Sequence, residues 1–406
     1  MSANALVLSP HQQLTRARWA LMFGNFAIGC GVMVVAGSLN DLTRSLEVSV
    51  ALGGQLISVA AVLMCFGAPL LAAVLGGWDR RRLLTLSLAW FAIGHFLSAV
   101  APNYALLLPL RALSVLAAAV YTPQAAAAIG YVAPPEERGR SIIFIFLGWS
   151  VASVIGMPVH SFIGEAFGWR WAFGLVTVLA GGAAWWVWTV VPDGVKPPAM
   201  KLAAWREVFT HPVLMAIIAV TALTGAGQFT LFAYMAPYYR QVIGANAAET
   251  SFLFFWFGAF GLLGNLLLSR YIDRIGAAQV VAMSIIGMCV SLLLWPLAST
   301  VALIALVALP WGLGGFASNS AQQARLGGAA PELATALMAL NTSAIYLGQA
   351  VGAAGGGAVV AAHEALGESG ANVYGSLSWI GLGWMLLALV LSVWAQRQTI
   401  RLGGKV

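Results

Sequence analysis

Long apolar stretches separated by short polar breaks recur twelve times along the chain, near residues 18–39, 50–75, 83–101, 104–132, 141–164, 171–191, 213–239, 250–269, 277–297, 300–324, 333–361 and 373–395. A helix rises about 1.5 Å per residue, so about 20 apolar residues cross a hydrocarbon core of about 30 Å. Each stretch is therefore predicted to be a membrane-spanning helix, numbered here spans 1 to 12.

The breaks alternate in charge. The even-numbered gaps and both tails hold 16 of the 20 Lys and Arg residues, among them Arg80, Arg81 and Arg82, whereas the odd-numbered gaps hold only Arg44, Arg170 and Arg240. A bias of this kind over short loops sets orientation, and it predicts that both termini are cytoplasmic. Composition agrees: 61% hydrophobic and 8% charged residues would leave a soluble domain with a greasy surface, which a bilayer accepts. The net charge of +7 then reflects topology, and no nucleic-acid partner is expected. Met1 to Thr15 is polar and the first apolar segment is long, so no cleavable signal is expected. Cys30, Cys65 and Cys289 all fall inside apolar stretches, which argues against a disulfide framework.

The longest internal polar interval runs from Pro192 to Pro212 and divides the chain into a six-span half over 1–191, a cytoplasmic linker over 192–212 and a second half over 213–406. The halves carry matching features. Asp79-Arg80-Arg81-Arg82 follows span 2 and Asp273-Arg274-Ile275-Gly276 follows span 8; Ala133-Pro134-Pro135-Glu136 precedes span 5 and Ala330-Pro331-Glu332 precedes span 11. Span 5 carries Gly148, Gly156, Pro158 and Gly164, and span 11 carries Gly348, Gly352, Gly355, Gly356 and Gly357. Weak symmetry between six-span halves marks transporters built as two bundles around a midplane site. The predicted fold is an all-α integral membrane protein, with twelve transmembrane helices in two pseudo-symmetric six-helix bundles. Small residues let helices approach closely in lipid, so the Gly and Pro residues of spans 5 and 11 are expected at the seam between the bundles.

Four segments carry a family resemblance: Ala101-Pro102-Asn103-Tyr104 with Arg111 in span 4, Gly156-Met157-Pro158 in span 5, Gly168-Trp169-Arg170-Trp171-Ala172-Phe173 before span 6, and Asn341 to Gln349 in span 11. With them the chain resembles the major facilitator superfamily over essentially its whole length, and within it the twelve-span efflux branch of drug, sugar and nucleoside exporters. The resemblance implies a secondary transporter of the bacterial plasma membrane, expelling a small organic solute in exchange for protons by alternating access. It implies a monomer that needs no cofactor. It also implies gating roles for the loop residues Asp79, Arg80, Asp273 and Arg274, and for Gly156 and Pro158. The chain departs from the family pattern in two places. Gly76-Gly77-Trp78-Asp79-Arg80-Arg81-Arg82 blurs the register of the family's loop between spans 2 and 3. Where relatives often carry an acid in the middle of span 1, this chain has Gly29-Cys30-Gly31-Val32-Met33.

An ionisable side chain inside a span is costly and is a functional candidate by default. Arg111 and His160 are the candidates for proton coupling or a polar network, and His95 is expected to be a satisfied packing residue. The family's cavity is lined by spans 1, 4, 7 and 10, which makes Asn25, Tyr121, Gln124, Gln228, Tyr234, Asn319, Gln322 and Gln323 the candidate substrate contacts, with Phe229, Phe232 and Trp311 able to stack on a ring. Each of these polar groups could instead tie helix to helix, as expected for Asn341 and Gln349. Uncharged amides and phenols suit a neutral or weakly polar ligand. Without an acid inside a span, an uncoupled facilitator of a small polar solute is the alternative. The chain lacks a zincin pair beside His363-Glu364, a nucleophile-elbow serine and a Walker loop, so an enzyme or an ATP-driven pump is not expected.

Overall fold

The computed structural model describes residues 10–75, 77–134, 137–196, 202–330, 333–368 and 370–401. Among them there is no strand, and twelve helical segments are long and apolar enough to cross a membrane. Spans 1 to 4 are Pro10–Ser45, Val50–Leu75, Arg80–Ala99 and Tyr104–Val132. Span 5 is the pair Arg138–Val151 and Met157–Phe167, span 6 is Trp169–Val190, and span 7 is the pair Pro212–Phe232 and Met235–Gln241. Spans 8 to 12 are Ala247–Ser269, Ala277–Leu294, Val301–Ala329, Ala334–Ala365 and Ala371–Arg401.

Short polar residues start the helices where the sequence breaks. The side chains of Asp79, Asn103 and Thr300 accept from the backbone N–H three residues on, and Asn246 with Glu249 forms a reciprocal capping box at the head of span 8. Gly168 and Gly276 reverse the chain at φ 101° and 90°, a region that disfavours any β-carbon. Pro158 lacks an N–H, and its ring would crowd the carbonyl of Val154; the backbone widens into a π turn over Ala152–Gly156 just before it.

Spans 1 to 6 form one bundle and spans 7 to 12 the other, with matched packing. Span 1 lies on spans 5 and 6, span 3 on spans 4 and 6, and span 2 on span 4; each of these pairings recurs six spans later. The match extends to single atoms. A β-carbon on Gly148 would lie 2.3 Å from the carbonyl oxygen of Met22, and one on Gly348 would lie 2.3 Å from that of Ala222, two hundred residues further along both helices. Exposed Trp185, Val178, Phe66 and Val390 form the apolar outer surface that lipid solvates.

These contacts correct the expectation for the glycines. Gly148, Gly156 and Gly164 of span 5 face span 1, and Gly348, Gly352 and Gly356 of span 11 face span 7, so most of them close helix pairs inside a bundle. Pro158 shapes the bend of span 5. The seam between bundles is made where span 2 meets span 11 and span 5 meets span 8. There Gly258 of span 8 lies against the backbone of Ser153, and the Tyr234 hydroxyl fits between Gly54 and Gly357.

Of the loop residues matched to the family's gate, Asp79 and Arg80 tie their own bundle to the linker. Besides capping span 3, Asp79 accepts from the Gly194 N–H at 2.7 Å; the Arg80 N–H donates to the Val195 carbonyl at 2.9 Å, and its guanidinium to that of Trp78 at 2.9 Å. Arg274 is exposed at the turn after span 8, while the side chain of Asp273, like Pro135, Glu136, Pro331 and Glu332 of the repeats, lies outside the described residues. Replacing Asp79 with alanine removes both bonds and is expected to cost about 1 kcal/mol, seen as a lower Tm of the detergent-solubilised protein.

Candidate functional site

Twelve spans place the start of span 1, the end of span 12 and the gap between spans 6 and 7 at one end of the molecule, here the terminal end; the opposite end is the far end. Among the described residues, two hydrogen bonds between side chains and the opposite bundle are resolved, and both lie at the far end: Asn40 Nδ2 donates to the Ala236 carbonyl at 3.1 Å, and Arg240 Nη1 donates to Glu165 Oε2 at 3.0 Å. The far half of span 5, with its π turn, packs on span 8, whereas its terminal half barely touches it. The bundles are therefore tied together at the far end, and span 5 parts from span 8 toward the terminal end.

Inside the first bundle, spans 1, 3, 4 and 5 enclose a buried cluster of one arginine and two histidines. Arg111 is 2% exposed; its Nη1 bonds His95 Nε2 at 2.9 Å and its Nη2 donates to the Val32 carbonyl at 3.1 Å. His95 Nδ1 lies 2.8 Å from the Phe91 carbonyl. A guanidinium only donates and a carbonyl only accepts, so both bonds require neutral His95 with its proton on Nδ1. The expected packing histidine is satisfied, but as the acceptor for Arg111. Gly31 makes this possible, because a β-carbon there would lie 2.5 Å from the Phe91 ring and 2.9 Å from His95 Nε2. Ring and imidazole thus fill the space beside Gly31. His160 is fully buried, neither ring nitrogen has a partner, and it stands within electrostatic reach of Arg111. No carboxylate among the described residues pairs with Arg111.

The eight candidate contacts separate into two groups. Four are buried and already bonded between or within spans. Asn25 donates to the Ile145 carbonyl at 3.0 Å and accepts from Thr122 Oγ1 at 2.8 Å, Tyr121 donates to the Leu21 carbonyl, Gln322 to that of Ile217, and Tyr234 to that of Ala353. The structure thus favours the helix-tie role for these four, although Oε1 of Gln322 has no partner. Gln124 is buried at 7% exposure, and Gln228, Asn319 and Gln323 are half-buried. Gln228 Oε1 receives the Trp311 indole N–H at 3.2 Å, and Asn319 Oδ1 is unpartnered. Phe229, Phe232, Phe257 and Trp311 follow one another at ring separations of 5.3, 5.8 and 5.6 Å, forming an aromatic wall across spans 7, 8 and 10. Asn341 accepts from Thr221 at 2.7 Å, as expected of an interhelical tie.

Twelve spans in two matched bundles tied together at one end describe a membrane transporter of the alternating-access kind. The sequence profile of the Major Facilitator Superfamily matches residues 21–353 and, overlapping, 220–404, and the chain belongs to this family. It is a multi-pass membrane transporter and not an enzyme. It is 29% identical over 394 residues to the inner membrane transport protein YdhP of Escherichia coli (strain K12), covering 94% of this chain and 97% of that one. It is 27% identical over 347 residues to a protein of Helicobacter pylori (strain HPAG1) described as a probable sugar efflux transporter, covering 86% and 88% of the two chains. Among solved structures, a D-xylose-proton symporter superposes with a TM-score of 0.74 at 17% identity, over 93% of this chain and 97% of that one.

Proposed function

We propose that the chain exports a small, uncharged organic solute, a sugar, a nucleoside or an amphipathic drug, from a bacterial cell in exchange for protons. The observation that carries this reading is the set of half-buried amides and rings on spans 7 and 10: Gln228, which accepts from the buried Trp311 indole; Phe229 and Phe232 on span 7; and Asn319 two turns further along span 10. Amides bond hydroxyls and ring nitrogens without demanding a charge, and aromatic faces stack on sugar or base rings. The efflux name carried by the Helicobacter relative supports the direction. Gln124 and Gln323 complete the proposed contacts. Arg111 and His160 are proposed to couple the proton, and the turns at Asp79, Arg80, Asp273 and Arg274 to steady the terminal end. The charge bias of the loops supports a cytoplasmic position for that end in a bacterial inner membrane, which makes the described state an inward-facing one in this reading.

Two assays test the reading. Efflux-deficient cells expressing the protein should show depletion of one compound from a panel of arabinose, a lactose analogue, purine nucleosides, chloramphenicol and a cationic dye, reversed by a protonophore. A compound that merely equilibrates faster, with no protonophore effect, replaces antiport with facilitated diffusion. For the compound found, Gln228→Leu removes a hydrogen bond and loosens Trp311; KM is expected to rise about tenfold with less change in the maximal rate.

A further inference from the structure

Glu165 lies near the end of the Met157–Phe167 helix of span 5, and its side chain is only 6% exposed. Its Oε2 accepts from Nη1 of Arg240, in the last turn of span 7, at 3.0 Å, and its Oε1 is buried without a partner. Among the described residues this is the one ion pair that joins the two bundles; the others, Arg18 with Glu137, Arg44 with Asp41 and His363 with Glu368, stay within one. Arg240 is 46% exposed, so the pair borders the far surface.

The ionisable groups on the neighbouring elements have partners elsewhere. On span 1, Asp41 accepts from Arg44 at 2.6 Å and from the Trp169 N–H at 2.8 Å. On span 6, Arg170 donates to the Ala101 carbonyl and lies over the Trp169 ring. On span 8, Glu249 is engaged in its capping box with Asn246. The phenols of Tyr234, Tyr238 and Tyr239 on span 7 are neutral partners at most, and His160, on Glu165's own helix, is five residues back. Arg240 is thus the cation that serves Glu165.

Opening the far end moves one bundle away from the other as a body and must part this pair. A carboxylate holds a guanidinium by charge as well as by hydrogen bond, whereas a protonated carboxyl keeps only a neutral acceptor. We propose that Glu165 is a proton-binding latch: ionised, it holds the far end shut through Arg240, and on taking one proton from the far-side solution it releases that cation and lets the far end open. The inference rests on the transporter class alone and not on the antiport reading.

The test reads conformation and needs no substrate. Spin labels at Val100→Cys and Leu297→Cys, exposed positions at the far ends of spans 3 and 9, report the distance between bundles in lipid nanodiscs once Cys30, Cys65 and Cys289 are replaced by alanine. With Glu165 present, the short distance should dominate in neutral buffer, and acid strong enough to protonate carboxylates should raise the long-distance population about tenfold. Glu165→Gln should show the long distance already at neutral pH and no further acid response. Glu165→Arg combined with Arg240→Glu should restore both the short distance and the acid response. A Glu165→Gln protein with an unchanged distance distribution, or with the full acid shift, overturns the proposal. If that variant does not fold, the charge swap decides alone: a swapped protein standing open at neutral pH overturns it.

Discussion

Leucine in place of Gly348 is expected to abolish the folded second bundle. A β-carbon at this position would lie 2.3 Å from the Ala222 carbonyl oxygen, 2.9 Å from the Ala226 nitrogen and 2.9 Å from the Gly225 Cα. All three are backbone atoms of span 7, so no rotamer change relieves the overlap and the helices must part along their length. Overpacking of this kind costs at least about 3 kcal/mol, a large share of a typical folding free energy. Expression yield and thermal unfolding in detergent measure it. Gly148→Leu should do the same to the first bundle, since Met22 and Phe26 stand there as Ala222 and Ala226 stand here. Gly383→Leu, where an added β-carbon meets nothing within 4 Å, is the control and should be tolerated. Equal tolerance at all three positions would refute the close packing described for spans 1 with 5 and 7 with 11.

The second large effect is expected at Arg111. Alanine there strands His95 Nε2, a buried acceptor whose unmade hydrogen bond costs about 1–3 kcal/mol, and removes the second tie from span 4 to the Val32 carbonyl of span 1. If the cluster serves the transport cycle as proposed, the transport rate should fall by at least about a hundredfold. Lysine preserves the charge but brings one nitrogen where the guanidinium brings two, so it cannot copy the fork that reaches both span 3 and span 1. Arg111→Lys is expected to stay well below wild type in a proteoliposome exchange assay while remaining folded. Wild-type exchange in Arg111→Lys would show that charge, not the fork, is what the cycle needs.

The departure in span 1 shows how far the sequence could be read. Gly29-Cys30-Gly31 is visible as the absence of an acid, but its reason is not local. Only the packed bundle shows that Phe91 and His95 from span 3 take up the volume a side chain at position 31 would need. Asn25 and Gln322 likewise carry the same chemistry in the sequence as Gln228 and Asn319. Their difference lies in which neighbour each amide finds across a helix pair, and the bond to Ile145 or Ile217 settles it. Arg240 was legible as one of three basic residues on the sparsely charged side, and Glu165 as an acid near a span end. Their meeting joins residues 75 positions apart on different bundles, which no spacing rule reports.

The sequence by itself determined the twelve spans, the division into two halves and the family. Hydrophobic length against bilayer thickness and the charge bias of short loops are properties of each segment alone, and a duplicated half repeats them. The tertiary structure alone decided which face of each span meets protein. In water, an amphipathic stripe would have marked that face in advance. In lipid, the outward and inward faces are both apolar, so the sequence pattern is nearly silent about rotation. The assignment of the glycines to helix pairs, the separation of tying from half-buried amides and the ion pair at the far end all depend on that rotation. They emerge only when the helices are packed.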